Sequence, residues 1–270
     1  MSNTDELSTP LTEADVDRRF SGLGRLLGTD AANTVRQTHV AVVGIGGVGS
    51  WAAEALARSG VGQITLIDMD HISESNINRQ IHALSSTLGM SKVQAMQERM
   101  ALINPDCKVA VVDDFVSPEN WPAVLPAGVD AVIDACDQVQ AKTAMADWAR
   151  RNGAVFVTVG AAGGKSRAEL VDIADLAETT HDPLLAQVRY RLRKFYGAPK
   201  NGKKLSVACV FSREAVQAAD ASCAIQSDAT LNCHGYGSLV TVTATFGMCA
   251  AGYVIRKLSE RTVKAAKKTL

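Results

Sequence analysis

The chain has 270 residues, 47% hydrophobic and 21% charged, with 28 basic side chains against 28 acidic ones. That length and composition give one sizeable core, alone or with an extension, and exclude a disordered or fibrous chain. A net charge of zero does not exclude a polyanionic partner, because Asp5, Glu6, Glu13, Asp15 and Asp17 make the amino terminus acidic while Arg256 to Lys268 is basic.

Residues 1–17 read as a polar arm, followed by a helix over 18–32. The apolar run 39–44 predicts a strand that delivers Gly44-Ile45-Gly46-Gly47-Val48-Gly49-Ser50, and a helix begins near Val48. Gly44, Gly46, Gly47 and Gly49 let the backbone turn sharply and approach phosphate oxygens, while the helix points free N–H groups and its positive dipole end at them. A second strand over 63–68 ends in Asp68, twenty-four residues after Gly44, where a carboxylate accepts hydrogen bonds from ribose hydroxyls. Strand, glycine loop, helix, strand and acid together predict a nucleotide-binding βαβ unit.

Alternation continues with a helix over 91–103, strands at 108–113 and 131–134, a helix over 139–151 and a strand at 154–159. The expected fold class is therefore α/β, a doubly wound, Rossmann-like and mostly parallel sheet with helices on both faces. Residues 18–160 form its nucleotide-binding part. After Gly160 the pattern weakens, and strands at 168–173 and 205–211 belong to a substrate-side extension, 161–270, of the same globular unit, expected over the carboxyl ends of the strands.

From Pro183 to Ser212 there is no acidic residue, while Arg189, Arg191, Arg193, Lys194, Lys200, Lys203 and Lys204 gather with Tyr190, Phe195 and Tyr196. Phosphate neutralisation plus aromatic stacking suits single-stranded RNA, although such a run also serves as a plain solvated face. Cys233 sits in Asn232-Cys233-His234-Gly235, before the last helix; it reads either as a reactive thiol or as an ordinary loop cysteine. Cys209, inside an apolar strand, reads as packing. The six cysteines form no Cys-x-x-Cys pair, so no zinc site is expected, and the absence of a secretory signal points to a cytoplasmic, reduced chain. Residues 239–255 are uncharged and admit two readings, a buried helix or a short membrane anchor.

Past Asp68 the chain reads Asp68-Met69-Asp70, then Ser75-Asn76-Ile77-Asn78-Arg79-Gln80, then Lys92 thirteen residues after Arg79. With the glycine loop, this resembles the ubiquitin-activating superfamily of adenylating enzymes, the ThiF, MoeB and HesA-like proteins. The resemblance implies that the glycine loop and Asp68 hold the adenosine part of ATP and that Asn76, Arg79, Gln80 and Lys92 grip its phosphates. It also implies that Asp137, in Asp134-Ala135-Cys136-Asp137, places Mg2+ and the reacting carboxylate, although Gln138 stands where related sulfur-carrier activators have Asn. An arginine near the amino terminus, Arg25 or Arg19, would reach the ATP of a neighbouring subunit, which implies a homodimer.

Within that superfamily, the runs Arg79 to Leu84, Thr158 to Gly164 and Val242 to Gly247 are similar to the tRNA threonylcarbamoyladenosine dehydratases, from about Arg18 to the last helix. That resemblance implies an ATP-dependent cyclodehydration through an acyl adenylate on tRNA, with Arg189, Arg191, Arg193 and Lys194 contacting the RNA. Two alternatives stay open: an activator of a sulfur-carrier protein, with sulfur-transfer partners and a role for Cys233, and an NAD-dependent oxidoreductase. The second leaves Arg79, Gln80 and Lys92 without a task beside a nicotinamide ring.

Overall fold

The two apolar runs around the glycine loop form β1 (His39–Val43), buried at every position, and β2 (Gln63–Ile67), buried at all but its first. Burial on both faces marks strands of a parallel sheet covered by helices. The computed structural model describes residues 15–218 and 236–266. The remaining strands are β3 (Lys108–Val112), β4 (Ala131–Asp134), β5 (Val155–Val159), β6 (Val171–Asp175) and β7 (Ala208–Ser212). They make one seven-stranded sheet in the order β3-β2-β1-β4-β5-β7-β6, parallel throughout except for β6, which runs antiparallel to β7.

Register decides where chemistry can occur. Val43, the last residue of β1, pairs with Ile67 on one side and Asp134 on the other. The segments after β1, β2 and β4 therefore leave the sheet side by side at its carboxyl edge. β1 lies at the point where the strand order reverses, which is where α/β sheets bind ligands.

The helices are α1 (Val16–Leu27), α2 (Thr29–Gln37), α3 (Gly49–Arg58), α4 (Lys92–Ile103), α5 (Val139–Asn152), α6 (Pro183–Phe195) and α7 (Val240–Ala266). One apolar cluster joins α3, α4 and α7 to one face of the sheet; a second joins α5 and α6 to the other. α7 runs against α3 at backbone distance, since a Cβ on Gly247 would stand 2.5 Å from the Val48 carbonyl oxygen.

Several sequence expectations change here. The single helix expected over 18–32 is two, because Gly28 has φ +87° and breaks it. The strand expected at 168–173 starts only at Val171, after a 3-10 turn over Ala168–Leu170. Residues beyond 160 widen the sheet, with β7 pairing in parallel with β5 (Val157 opposite Ala208), so they do more than cover the strand ends. α6 was not anticipated. The segment 239–255 lies almost wholly within α7, whose Val242, Phe246, Ala250, Ala251 and Val254 are buried in the core. Among the described residues, no helix is long and apolar enough to cross a membrane.

Candidate functional site

Gly44 turns the chain out of β1 with φ +83°, and a Cβ there would stand 2.8 Å from the Cys136 nitrogen. A Cβ on Gly49 would overlap the Gly44 carbonyl oxygen. The loop is thus closed on itself and pressed against the segment after β4. At Val48 no side chain caps α3; the Ser50 N–H donates to the Gly46 carbonyl at 3.1 Å, the Gly49 and Trp51 N–H groups have no partner among the described residues, and the Ser50 hydroxyl beside them is buried without one. Free N–H groups at a helix start favour an anion.

Asp68 ties this loop to β2: its carboxylate accepts the Ile45 N–H at 2.6 Å and the Asp70 N–H at 2.8 Å. Burial pushes the Asp68 carboxyl above its ordinary range, against the pull of Lys92 and the two N–H donors. Two residues on, Asp70 meets Lys92 at 2.6 Å; Lys92 opens α4 and is 8% exposed along its side chain, Asp70 52%. The two are also joined through the backbone, Lys92 N–H donating to the Asp70 carbonyl at 3.0 Å.

Arg79 lies across the glycine loop. Its Cγ and Cδ would each be 3.3 Å from a Cβ on Gly47, with the Thr243 methyl of α7 at 3.5 Å. The guanidinium Nη1 donates to the Ser75 carbonyl at 2.6 Å and to Asn78 Oδ1 at 3.0 Å, while the Arg79 carbonyl accepts from Trp51 Nε1 at 2.9 Å. Asn76 is buried, and its Oδ1 accepts the Ser73 N–H at 3.1 Å, so it holds the turn that carries Arg79. Gln80 Oε1 is buried without a partner among the described residues, as are both ring nitrogens of His82. Burial, with Lys92 and Arg99 nearby, lowers the His82 pKa to about 4.

On the other side of the loop, β4 ends in a group the sequence reading did not assign. Asp134 is fully buried and binds Lys142 Nζ at 3.1 Å and the Thr158 hydroxyl at 2.6 Å, while accepting the Cys136 N–H at 3.2 Å and its thiol at 3.1 Å. Such a desolvated pair fixes the segment that follows it. Asp137 lies just beyond, exposed, with Gln138 Nε2 donating to it at 3.3 Å. The available sequence signal was Lys142 itself, a lysine among the apolar positions of α5. Burial drives the Cys136 thiol far above its ordinary value, with Asp134 adding to the effect.

Gly44, Gly46, Gly47, Gly49, Asp68, Asn76, Arg79, Gln80, Lys92 and Asp137 thus stand on adjoining segments at one edge of the sheet. Other candidates lie apart. Arg189, expected at an RNA surface, turns inward instead: its Nη1 donates to the carbonyls of Leu176 and Thr179 and to the Thr179 hydroxyl, at 2.9 to 3.0 Å. Arg193 is likewise drawn to the Pro199 carbonyl at 3.2 Å. Lys194, by contrast, is exposed and lies over the rings of Tyr190 and Phe195, at 5.3 and 5.1 Å, and Arg191 stacks on Phe195 at 5.5 Å. Arg25 is exposed on α1 and, among the described residues, bonds its own helix through Ser21, whereas Arg19 Nη1 is bound to the Ile103 carbonyl. Cys233 lies outside the described residues.

The chain is similar to known proteins over nearly its whole length. The ThiF family matches residues 20–270. The chain is 47% identical to tRNA threonylcarbamoyladenosine dehydratase of Haemophilus influenzae, over 91% of this chain and 95% of that protein. It is 46% identical to the Escherichia coli enzyme of the same name, over 92% and 96%. A crystal structure of the Escherichia coli enzyme in complex with ATP superposes with a TM-score of 0.84 at 45% identity, covering 93% of this chain and 98% of that one. With its glycine loop, Asp68, Arg79 and Lys92 gathered at the switch point, and with this match over nearly its whole length, the chain belongs to the ThiF family.

Proposed function

We propose that this chain is an ATP-dependent tRNA threonylcarbamoyladenosine dehydratase, which activates the free carboxylate of threonylcarbamoyladenosine beside the anticodon and closes it into a ring with loss of water. The observation that carries this reading is Arg79 lying over Gly47 at the uncapped start of α3, with Lys92 beyond it. Two cations and the uncapped start of a helix stand on adjoining segments at one edge of the sheet, which suits a triphosphate and gives a nicotinamide no role.

Adenylation brings two anions together. The substrate carboxylate attacks the α-phosphorus of ATP, a P–O bond forms, and pyrophosphate leaves with the electron pair of the broken bond. Arg79 and Lys92 neutralise the charge that develops, and the α3 N–H groups hold the phosphates without reorganising. Asp68, already an acceptor of two N–H groups at the β2 end, takes the ribose. The substrate's own carbamoyl group then attacks the acyl carbon and AMP departs with the former carboxylate oxygen. That step is intramolecular, so orientation supplies much of the rate.

Mg2+ would accompany the ATP. Asp137 fits it: an exposed carboxylate at the end of β4, in a setting where magnesium takes one or two carboxylates besides phosphate oxygens and water. Bound there, the ion would offset phosphate charge.

A homodimer completes the proposal. Exposed Ile77, Leu84, Leu88 and Leu239 lie on segments that the hydrogen bond from Asn78 Nδ2 to the Ser238 carbonyl joins, and Arg25, exposed on α1 and bonded to Ser21 of its own helix, would reach a second copy's site. No sulfur-relay step is assigned to the described cysteines, because burial raises the thiols of Cys107, Cys136, Cys209 and Cys249. The test is incubation with ATP labelled at the α-phosphate. Labelled AMP forming only when threonylcarbamoyladenosine-modified tRNA is present supports the function; labelled ADP, or AMP formed on a Gly-Gly-terminated carrier protein instead, contradicts it.

A further inference from the structure

The far ends of α3 and α4 face α1 across a solvent-open cavity of about 480 Å³, lined by Arg19, Phe20, Arg58, Arg99, Leu102 and Ile103. Both helices begin at the nucleotide site, with Gly49 and Lys92, so the cavity lies at their other ends, roughly 15 Å away at 1.5 Å per residue.

Its charge is one-sided. Three guanidinium groups line it, and two of them share one carboxylate, that of the buried Glu54, which binds Arg58 Nε at 2.7 Å, Arg99 Nε at 2.7 Å and Arg99 Nη2 at 3.2 Å. Three positive charges less one negative leave two uncompensated. Arg19 spends a single N–H, from Nη1, on the Ile103 carbonyl at 2.8 Å. A guanidinium carries five N–H donors, and these bonds use one on Arg19, one on Arg58 and two on Arg99. The others have no partner among the described residues. A brace between α3 and α4 would need only Glu54 and one arginine; the surplus donors instead form planar forks, those of Arg58 and Arg99 held by Glu54 and that of Arg19 by the Ile103 carbonyl, beside open space. Phe20 and Ile103 supply an apolar wall, and Leu102, 84% exposed, stands on the rim.

We infer that this cavity is a second anion site, built to take a phosphate group carried on a nucleoside. Arginine forks match phosphate oxygens two at a time. The volume is that of a nucleotide-sized ligand, and the apolar wall accepts a sugar or a base edge. Two sources carry such a group, the backbone of an RNA and a free mononucleotide. Only the first rests on the proposed function; the site itself does not.

The full chain is compared with two variants. Arg19→Gln combined with Arg58→Gln keeps the Arg99–Glu54 pair, and Leu102→Glu adds a carboxylate to the rim while removing only an exposed side chain, so it decides the matter if the first variant folds poorly. In one arm tRNA is titrated at several salt concentrations. Affinity is expected to fall by about threefold to tenfold in both variants, with the slope of log K against log salt reduced by about 0.7–0.9 for each phosphate released, and with the KM for ATP unchanged. That result supports the site and identifies RNA as its source. In the other arm AMP is titrated while the Nε–Hε NMR signals of Arg19 and Arg58 are followed. Shifts in the full chain that Leu102→Glu abolishes support the site with a free nucleotide as its ligand. If tRNA affinity is the same in all three proteins and AMP moves neither arginine signal, the inference is overturned.

Discussion

Asp70 Oδ2 lies 2.6 Å from Lys92 Nζ, so the cation assigned to the phosphates already holds a carboxylate. Incoming ATP competes with that carboxylate and is also repelled by it. Asp70→Asn removes both effects. Because Asp70 is half exposed, the gain is screened to about 0.5–1 kcal/mol, a fall of roughly two- to fivefold in the KM for ATP. Steady-state adenylation at varied ATP measures it. A raised KM would mean that Asp70 positions Lys92 for the nucleotide instead of withholding it.

Arg79→Ala should lower the adenylation rate by about 100- to 1,000-fold, the usual cost of one lost donor at a developing anion. Among the described residues its guanidinium binds the Ser75 carbonyl and Asn78, both close in sequence, so the melting temperature should scarcely change. A normal rate in a folded variant would remove the assigned role.

Gly49→Ala is expected to fail in a different manner. The new methyl would overlap the Gly44 carbonyl oxygen, and the Ala135 side chain lies 3.3 Å away, so the loop must move. Thermal unfolding should show a loss of about 3 kcal/mol, with ATP binding lost as well. Unaltered stability would show that the loop is less tightly closed than its geometry states.

His82 gives a pH signature. Its folded pKa of about 4 lies below the model-peptide value of 6.5, so the unfolded chain binds the proton more readily between those values. The stability it permits is complete above pH 6.5 and declines as pH falls toward 4, by up to about 3 kcal/mol. His82→Leu removes the titration and two buried unpaired nitrogens, so its unfolding free energy should depend less steeply on pH between 6.5 and 4. An unchanged slope would place the acid sensitivity elsewhere.

On α6, Arg189→Ala and Lys194→Ala should separate. Arg189 satisfies three acceptors at the β6–α6 connection, so its loss lowers stability, by roughly 1–3 kcal/mol. Lys194 lies over exposed rings, and its loss should weaken tRNA binding and reduce its salt dependence while leaving the melting temperature alone. The reverse pattern would dismiss α6 as an RNA face.

Local patterns were legible where local physics decides. The strand-loop-helix-strand around Gly44 and Asp68 could be read because close backbone approach admits only glycine and because β1 and β2 are buried on both faces. α6 escaped, although Asp182 caps it, Pro183 opens it and Leu185, Val188 and Leu192 form its buried stripe. Its charges drew attention from that period. The inward turn of Arg189 belongs to tertiary structure alone, and although Lys142 among the apolar positions of α5 hinted at a buried partner, only the fold names it as Asp134, eight residues away across a strand end. The division of the first helix hung on the backbone angle of one residue, Gly28, which helical periodicity does not report.

On the proposed function, the edge formed by Gly44, Arg79, Lys92 and Asp137 activates a carboxylate on tRNA with ATP. Mass spectrometry of nucleosides from modified tRNA, treated with the protein, ATP and magnesium, tests this most directly. Conversion of threonylcarbamoyladenosine to a nucleoside lighter by one water, dependent on ATP and absent with Arg79→Ala, is the predicted result. Unchanged threonylcarbamoyladenosine in a reaction where the folded protein holds ATP would contradict it.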